Sequence, residues 1–379
     1  MRKADKITTY DGDITKHNCG LSEEDLETIR SNVSIFIHAA SSIHLKKGLD
    51  YMAQQLLHPS VAIAALARSC ANLDLFIYVS TAFSSTFLRQ GSRGSPDGLD
   101  AVIKEEVRPI RSDPASASMD VEAELSDLAA YGSTPEYRFV DHPFAYSYTK
   151  HLTERVIERD FKAAGLEDKL LIFRPSVIAP AAAKPYPFFE RPGSAPTTLF
   201  AASCIAHPPS KMVFSTQLDS PSKALVDAIP IDIVVNRLIA HTAARTRGHV
   251  HAVAGEGNRL PTERLLEVCM MLRQPWWPKP TIEWRNEDWK SPSLCRLARL
   301  FVGAGAAFSF EDGKTKALWE KMDEAEQAEW PLFFDTRLLF DSKSMRAQGP
   351  NVKKLMAMSI KQSSLPKDMT VKFMCRSFS

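Results

Sequence analysis

Four short apolar runs, at residues 33–40, 75–81, 169–175 and 250–254, constrain this chain more than any other feature. Each has strand length, and each is bounded by turn or helix signals. The segments between them carry helical periodicity. One follows Ser22, where Ser22-Glu-Glu-Asp25 resembles a capping box. An Ala- and Leu-rich run covers 51–70, a third segment starts near Tyr146, and a fourth follows Asp232, read as the cap of Ile233-Val-Val-Asn-Arg-Leu. Strands alternating with helices imply an α/β fold, with a doubly wound parallel sheet covered on both faces.

Two interruptions divide the pattern. Residues 82–145, rich in Ser, Pro, Gly and Asp up to Asp120, are too long for a plain connection and read as a surface excursion with helix around 121–130. After Gly255 the alternation fades, and Pro275-Trp-Trp-Pro-Lys-Pro280 marks a boundary. The expected organisation is a reductase-like domain over 1–255 and a mainly α-helical domain over 256–379.

With 379 residues, 44% of them hydrophobic, the chain buries a substantial core. A net charge of +2 gives no electrostatic case for nucleic acid or an anionic membrane. The six cysteines, at 19, 70, 204, 269, 295 and 375, lack the spacing of a disulfide framework or zinc site, which fits a reducing compartment. No run of about 18 apolar residues occurs. The most apolar late stretch, 294–310, is broken by Arg296 and Arg299 and reads as a buried or surface-seeking helix, so peripheral membrane contact stays open. The first residues lack the apolar core of a signal peptide, and the final Arg-Ser-Phe-Ser is not a peroxisomal address. The expected location is intracellular, cytoplasmic or peripheral to an organelle membrane.

The chemistry lies in Tyr146-Ser-Tyr-Thr-Lys150. A tyrosine and a lysine four apart on a helix share one face, so the ammonium is expected to lie near the phenol and lower its pKa from about 10. Alone, such a pair is a weak signal. Its placement strengthens it, because one apolar run ends in Ser80-Thr81 upstream and another in Arg174-Pro175-Ser176 downstream, at the carboxyl ends where sheet ligands gather. A carbonyl accepting hydride needs a proton and a second hydrogen bond on oxygen. Tyr146 is assigned the proton, Thr81 or else Ser80 the second bond, and Lys150 the tyrosine and a cofactor ribose. Asp13, in Asp11-Gly-Asp-Ile14, is a candidate acceptor for an adenine amino group or a plain turn residue. His38-Ala39-Ala40 ends a strand with two small residues that admit a close backbone approach, and the histidine itself reads as packed. Trp276-Trp277 and Phe188-Phe189 are candidates for an acyl channel or for core.

These residues resemble the extended short-chain dehydrogenase/reductases, and within them the fatty acyl-CoA reductases and related thioester reductases. The likeness runs through Gly12-Asp-Ile14, Phe36-Ile-His-Ala-Ala40, Tyr78-Val-Ser-Thr-Ala82, Tyr146 to Lys150, Phe173-Arg-Pro-Ser-Val-Ile178 and Ala228-Ile-Pro-Ile-Asp-Ile-Val-Val-Asn236. Phe308-Ser-Phe-Glu-Asp-Gly-Lys-Thr and Phe333-Phe-Asp-Thr-Arg resemble the C-terminal domain of the alcohol-forming members. The resemblance implies NADPH-dependent reduction of a long-chain acyl-CoA to an aldehyde and then an alcohol, with Thr81, Tyr146 and Lys150 catalytic. Asp13, Ile14, His38, Ala39, Ala40, Ser80, Tyr146, Lys150, Arg174, Pro175 and Ser176 then border the cofactor, and no metal is implied. A non-catalytic acyl- or partner-binding descendant, and a thioester reductase for carrier-bound chains, are the alternatives.

Two departures accompany the likeness. No glycine-rich strand-to-helix turn precedes Asp13, so a Rossmann-like sheet missing its first strands is expected, with a hole where strands 1 and 2 of the order 3-2-1-4-5-6 would lie. Leu56-Leu57-His-Pro-Ser60 also replaces the family's Asn-Val-x-x-Thr, removing a helper asparagine from the proton relay.

Overall fold

The computed structural model describes residues 6–88, 102–107, 121–139, 142–206, 210–273, 276 and 278–362. Its centre is a four-stranded parallel sheet of β1 (Ile35–His38), β2 (Leu75–Val79), β3 (Leu170–Pro175) and β4 (Gly248–Ala252), in that spatial order. All four apolar runs join it. The α/β reading holds, and strand ends agree to within a few residues.

The expected hole is not there. The four strands are consecutive neighbours, and residues 6–13 form no strand, so the sheet stops cleanly at β1. The physical reason is pairing: in the order 3-2-1-4-5-6 the third strand bonds only to the second, and without that neighbour a run such as Ile7-Thr-Thr-Tyr10 has no ladder to join. Asp13 and Ile14 therefore lie in a turn.

Helices cover both faces where they reach. On one face, α1 (Glu23–Asn32), α2 (His58–Arg68) and α4 (Ala145–Ala163) bury Phe76, Tyr78, Leu170 and Ile172 against Ile63, Ile157 and Phe161. On the other, α6 (Ile231–Ala243) brings Ile233 and Val234 onto Leu75, Ile77, Leu171, Phe173 and Val250. Period-two alternation assigns each residue of Leu75-Phe-Ile-Tyr-Val79 to its face. At β1 the second cover is missing: Ile35 and Ile37 are 45% and 46% exposed. Removing a fully buried ring such as Phe161 would cost about 3–5 kcal/mol.

Local chemistry explains the boundaries. The Ser22 hydroxyl accepts the Asp25 N–H at 3.1 Å, capping α1 as expected. Asp232 does not cap α6, whose N-cap is Pro230. It sits in the first turn, and its carboxylate accepts the backbone N–H groups of Ala182, Ala183 and Lys184 at 2.8–3.0 Å. The Asp side chain is thus captured by a neighbouring loop. Before α2 the chain makes a π-helical turn, Ala53–Leu57, and within the excursion α3 (Val121–Tyr131) forms where helix was expected. The rest of that excursion lies largely outside the described residues.

A second apolar cluster joins segments on either side of Gly255. It packs α5 (Pro196–Ala206), α7 (Thr262–Met270) and α8 (Ser342–Gln362) with the parallel pair Met212–Ser215 and Ile282–Arg285. Ser309–Phe310 also pairs with Val102–Ile103, bringing Phe308 and Phe310 edge-on to Phe83 beside Thr81. No described helix is long and apolar enough to cross a membrane.

Candidate active site

Helix α4 builds the site because its polar residues recur every four positions. Tyr146, Lys150, Glu154 and Glu158 form one stripe, and it lies along the sheet rather than in solvent. Each member meets a different strand. Tyr146 reaches Thr81, just beyond β2. The Lys150 ammonium donates to the Val79 carbonyl at 2.9 Å and lies 4.7 Å from the centre of the Tyr78 ring. Glu154 accepts both arms of the Arg174 guanidinium, at 3.0 and 2.6 Å, from β3. Glu158 sits 3.1 Å from His249 Nε2 on β4.

The upper half of this stripe is under-satisfied. Tyr146 is half-buried and packs against the same apolar cluster as Phe83 and Ala306. Ser80 is buried, with no partner for its hydroxyl. Besides facing Tyr146, Thr81 Oγ1 makes two long hydrogen bonds, donating to the Pro175 carbonyl at 3.4 Å and accepting the Phe83 N–H at 3.3 Å. These groups gather where the carboxyl ends of β2 and β3 meet, as the sequence placed them.

Electrostatics correct one expectation. The Tyr146 phenol is not lowered: burial pushes its pKa up, the Thr81 hydroxyl offsets part of that, and Glu154 raises it further. The lysine is aimed at Val79 and Tyr78, so it does not act on the phenol. Burial instead pulls Lys150 down to about 7, against a smaller upward pull from Glu154. The ammonium is therefore poised to titrate near neutrality.

The other named residues divide. Pro175 closes β3 and accepts from Thr81, and Ser176 follows, its N–H on the Ala252 carbonyl. Arg174 is fully buried and committed, with Glu154 on one side and the Glu106 carbonyl at 2.8 Å on the other. His38 is packed: its Nε2 pairs with Ser60 Oγ at 3.0 Å and its ring stacks on Tyr78. Burial first, and the nearby Lys150 charge second, hold that imidazole down to about 4. Ala39 and Ala40 are exposed beyond β1. Asp13 is exposed too, and its carboxylate accepts the Thr15 N–H and hydroxyl at 2.9 and 2.7 Å. That is the turn reading of Asp13.

Sequence reasoning missed the lower half of the stripe. Glu158 is raised to about 7 by burial and by Glu154, with Arg174 opposing. His249 and His251 are driven down to about 2 and 3 by burial and then by Arg174. The signal was present as the continuing four-residue period after Lys150 and as His249-Val-His251 alternating in a strand. The suggested acyl-channel aromatics do not gather: Trp276 is exposed, Phe188 packs into the second cluster, and Trp277 lies outside the described residues. A described cleft is walled by Phe214, Trp289, Phe301 and Val302. It includes none of the strand-end residues above.

Residues 1–238 match the family model described as male sterility protein, an NAD-binding type. The chain belongs to that family. Among curated proteins, the chain is 28% identical over 236 residues to fatty acyl-CoA reductase 1 of Homo sapiens, an alignment covering 62% of this chain and 41% of that protein. A putative fatty acyl-CoA reductase of Drosophila melanogaster is also 28% identical over 236 residues, at 62% and 40% coverage. The chain thus spans about two fifths of the length of these relatives. Among solved structures, the terminal R domain of the myxalamid PKS-NRPS pathway superposes with a TM-score of 0.54 at 16% identity, covering 91% of this chain and 75% of that one. The dTDP-glucose 4,6-dehydratase DesIV of Streptomyces venezuelae, solved with NAD and TYD, gives 0.50 at 13% identity over 90% and 79%. At those identities the likeness concerns the fold, a Rossmann-like one.

Proposed function

We propose that this member of the male sterility family acts in NADPH-dependent reduction of a long-chain acyl-CoA thioester, through the aldehyde to the primary alcohol. The observation that carries this reading is the convergence of Thr81, Tyr146 and Lys150 at the ends of β2 and β3, beside the unpaired Ser80 hydroxyl. Fatty acyl-CoA reductase relatives over 62% of the chain support the substrate class.

The residues fit the nicotinamide end of such a cofactor, where a buried unpaired hydroxyl and a lysine with one described hydrogen bond leave donors to spare. The cofactor would supply hydride. The chain's own work is on oxygen: Tyr146 O–H donates the proton to the developing alkoxide, and Thr81 Oγ1 donates the second bond. A raised phenol pKa keeps Tyr146 protonated, in the form a general acid needs. Lys150 orients ribose hydroxyls with its remaining N–H groups. Residues 256–379 would act as the second, mainly helical part, placing Phe308 and Phe310 behind the site.

The test is turnover of palmitoyl-CoA by the purified chain with NADPH or NADH, with Tyr146→Phe as control. Aldehyde or alcohol formation that Tyr146→Phe abolishes supports the proposal. A folded protein that binds neither nicotinamide at millimolar concentration overturns it.

A further inference from the structure

Lys150 is the least explained residue of the site. The residue is 1% exposed, yet the carboxylate four residues on is no free counter-ion, since both Glu154 oxygens are held by Arg174. Its described hydrogen bond goes to the Val79 carbonyl. What else faces the charge is the ring of Tyr78, 4.7 Å away.

That ring is itself fixed. His38 and Tyr78 are register partners across β1 and β2, and their rings stack at 5.8 Å and 24°. His38 is in turn tied to Ser60 on α2 at 3.0 Å. Three elements therefore converge on the ring that meets the lysine of a fourth. The titratable and charged groups around Lys150 are Tyr146 and Glu154 from its own helix, His38 from β1, Tyr78 from β2 and Arg174 from β3 through Glu154.

We propose that Tyr78 is the positioning residue for Lys150, its π face holding the buried ammonium at the site while His38 and Ser60 fix the ring. This rests on the reading that Lys150 serves the reduction. A desolvated cation over an aromatic face is held more strongly than an exposed one, because the ring quadrupole replaces part of the lost hydration. The neutral state of His38 fits this role, since a second charge against the same ring would compete with the lysine. The Tyr78 hydroxyl faces the hydroxyls of Ser60 and Thr153, and the ring face is what meets the ammonium.

The experiment reads the Lys150 charge directly in cofactor-free protein. Lysine is labelled with ¹³C, the Cε resonance of Lys150 is assigned by its loss in Lys150→Gln, and its pH titration is followed. Tyr78→Phe, which keeps the π face, should leave the Lys150 pKa within a few tenths of a unit. Tyr78→Leu should lower it by about one unit. Because leucine leaves a cavity, 3,4,5-trifluorophenylalanine at position 78 provides a version of nearly the same shape with a weakened face, and should lower the pKa by about half a unit relative to phenylalanine. Equal titrations for phenylalanine and its fluorinated form overturn the proposal, whatever the leucine variant does. Failure of the protein to reduce palmitoyl-CoA would instead count against the functional reading, because the titration contains neither cofactor nor substrate.

Discussion

The two halves of the α4 stripe use the same spacing and reach opposite ends. Below, Glu154 and Arg174 close on each other with both oxygens occupied, at 0% exposure. Above, the buried Ser80 hydroxyl has no hydrogen-bond partner, and Thr81 Oγ1 makes long bonds at 3.4 and 3.3 Å. A buried polar group without a partner costs about 1–3 kcal/mol, so a fold keeps one where a ligand completes it. The Glu154–Arg174 pair reads as structure and the Ser80 end as site, while His249 Nε2 below is buried without a hydrogen-bond partner as well.

Acid gives the largest separation of the two. His249 and His251 in the lower half, with His38 and His241, are held at about 2, 3, 4 and 4. Their folded pKa values lie below the unfolded 6.5, so the unfolded chain binds the extra protons and stability falls as pH drops from about 6.5 toward 4. Glu158, raised to about 7, holds a proton in the folded state over the same range and offsets one of the four, so the slope approaches about 4 kcal/mol per pH unit, measurable as urea midpoints across that range. A flat profile would show these imidazoles to be solvated. Next in size is Glu154→Ala, which strands Arg174 in the core and should remove about 3–5 kcal/mol, read in the same denaturation. An effect below 1 kcal/mol would place water at the guanidinium.

Lys150→Met should act in the opposite sense. The lysine's folded pKa is depressed to about 7, so its charge destabilises the fold fully below pH 7, and the penalty fades as pH rises to 10.5. The variant's stability relative to the parent should therefore be greater at pH 6 than at pH 10 by about 4 kcal/mol, the linkage of roughly three pH units. Equal differences at both values would contradict this. Smallest in stability is Tyr146→Phe, expected within about 1 kcal/mol of the parent because the ring stays packed. On turnover it should cost a factor of about 100 or more. Full activity would remove Tyr146 from the acid role.

Much of this was legible in the sequence. Strands buried on both faces give continuous apolar runs, which is why β2, β3 and β4 stood out, and Ser80, Thr81, Pro175 and Ser176 followed from where those runs stop. What was not legible was aim. Helical spacing says that Tyr146 and Lys150 share a face, but the carbonyl that receives the ammonium is Val79, 71 residues away. The same holds for Asp232, whose three partners come from a loop about 50 residues earlier. Arg174 looked like a cofactor contact because it ends a strand, and only its side chain's path to Glu154 shows the buried pair. The sheet's continuity was not legible either, because apolar runs mark strands without saying which of them are neighbours, and the four described strands prove to be consecutive.

Strand β1 carries a consequence for handling the protein. Its outer side has no described strand neighbour, and Ile35-Phe-Ile37 contains none of the lysines, prolines or bulges that discourage edge-to-edge growth. Such an edge is a template: no described strand pairs with it on that side, and its two half-exposed isoleucines would add apolar contact to an extended segment laid against it. Colloidal behaviour should therefore worsen with concentration, light scattering rising at fixed pH and salt long before the packed remainder of the sheet begins to melt.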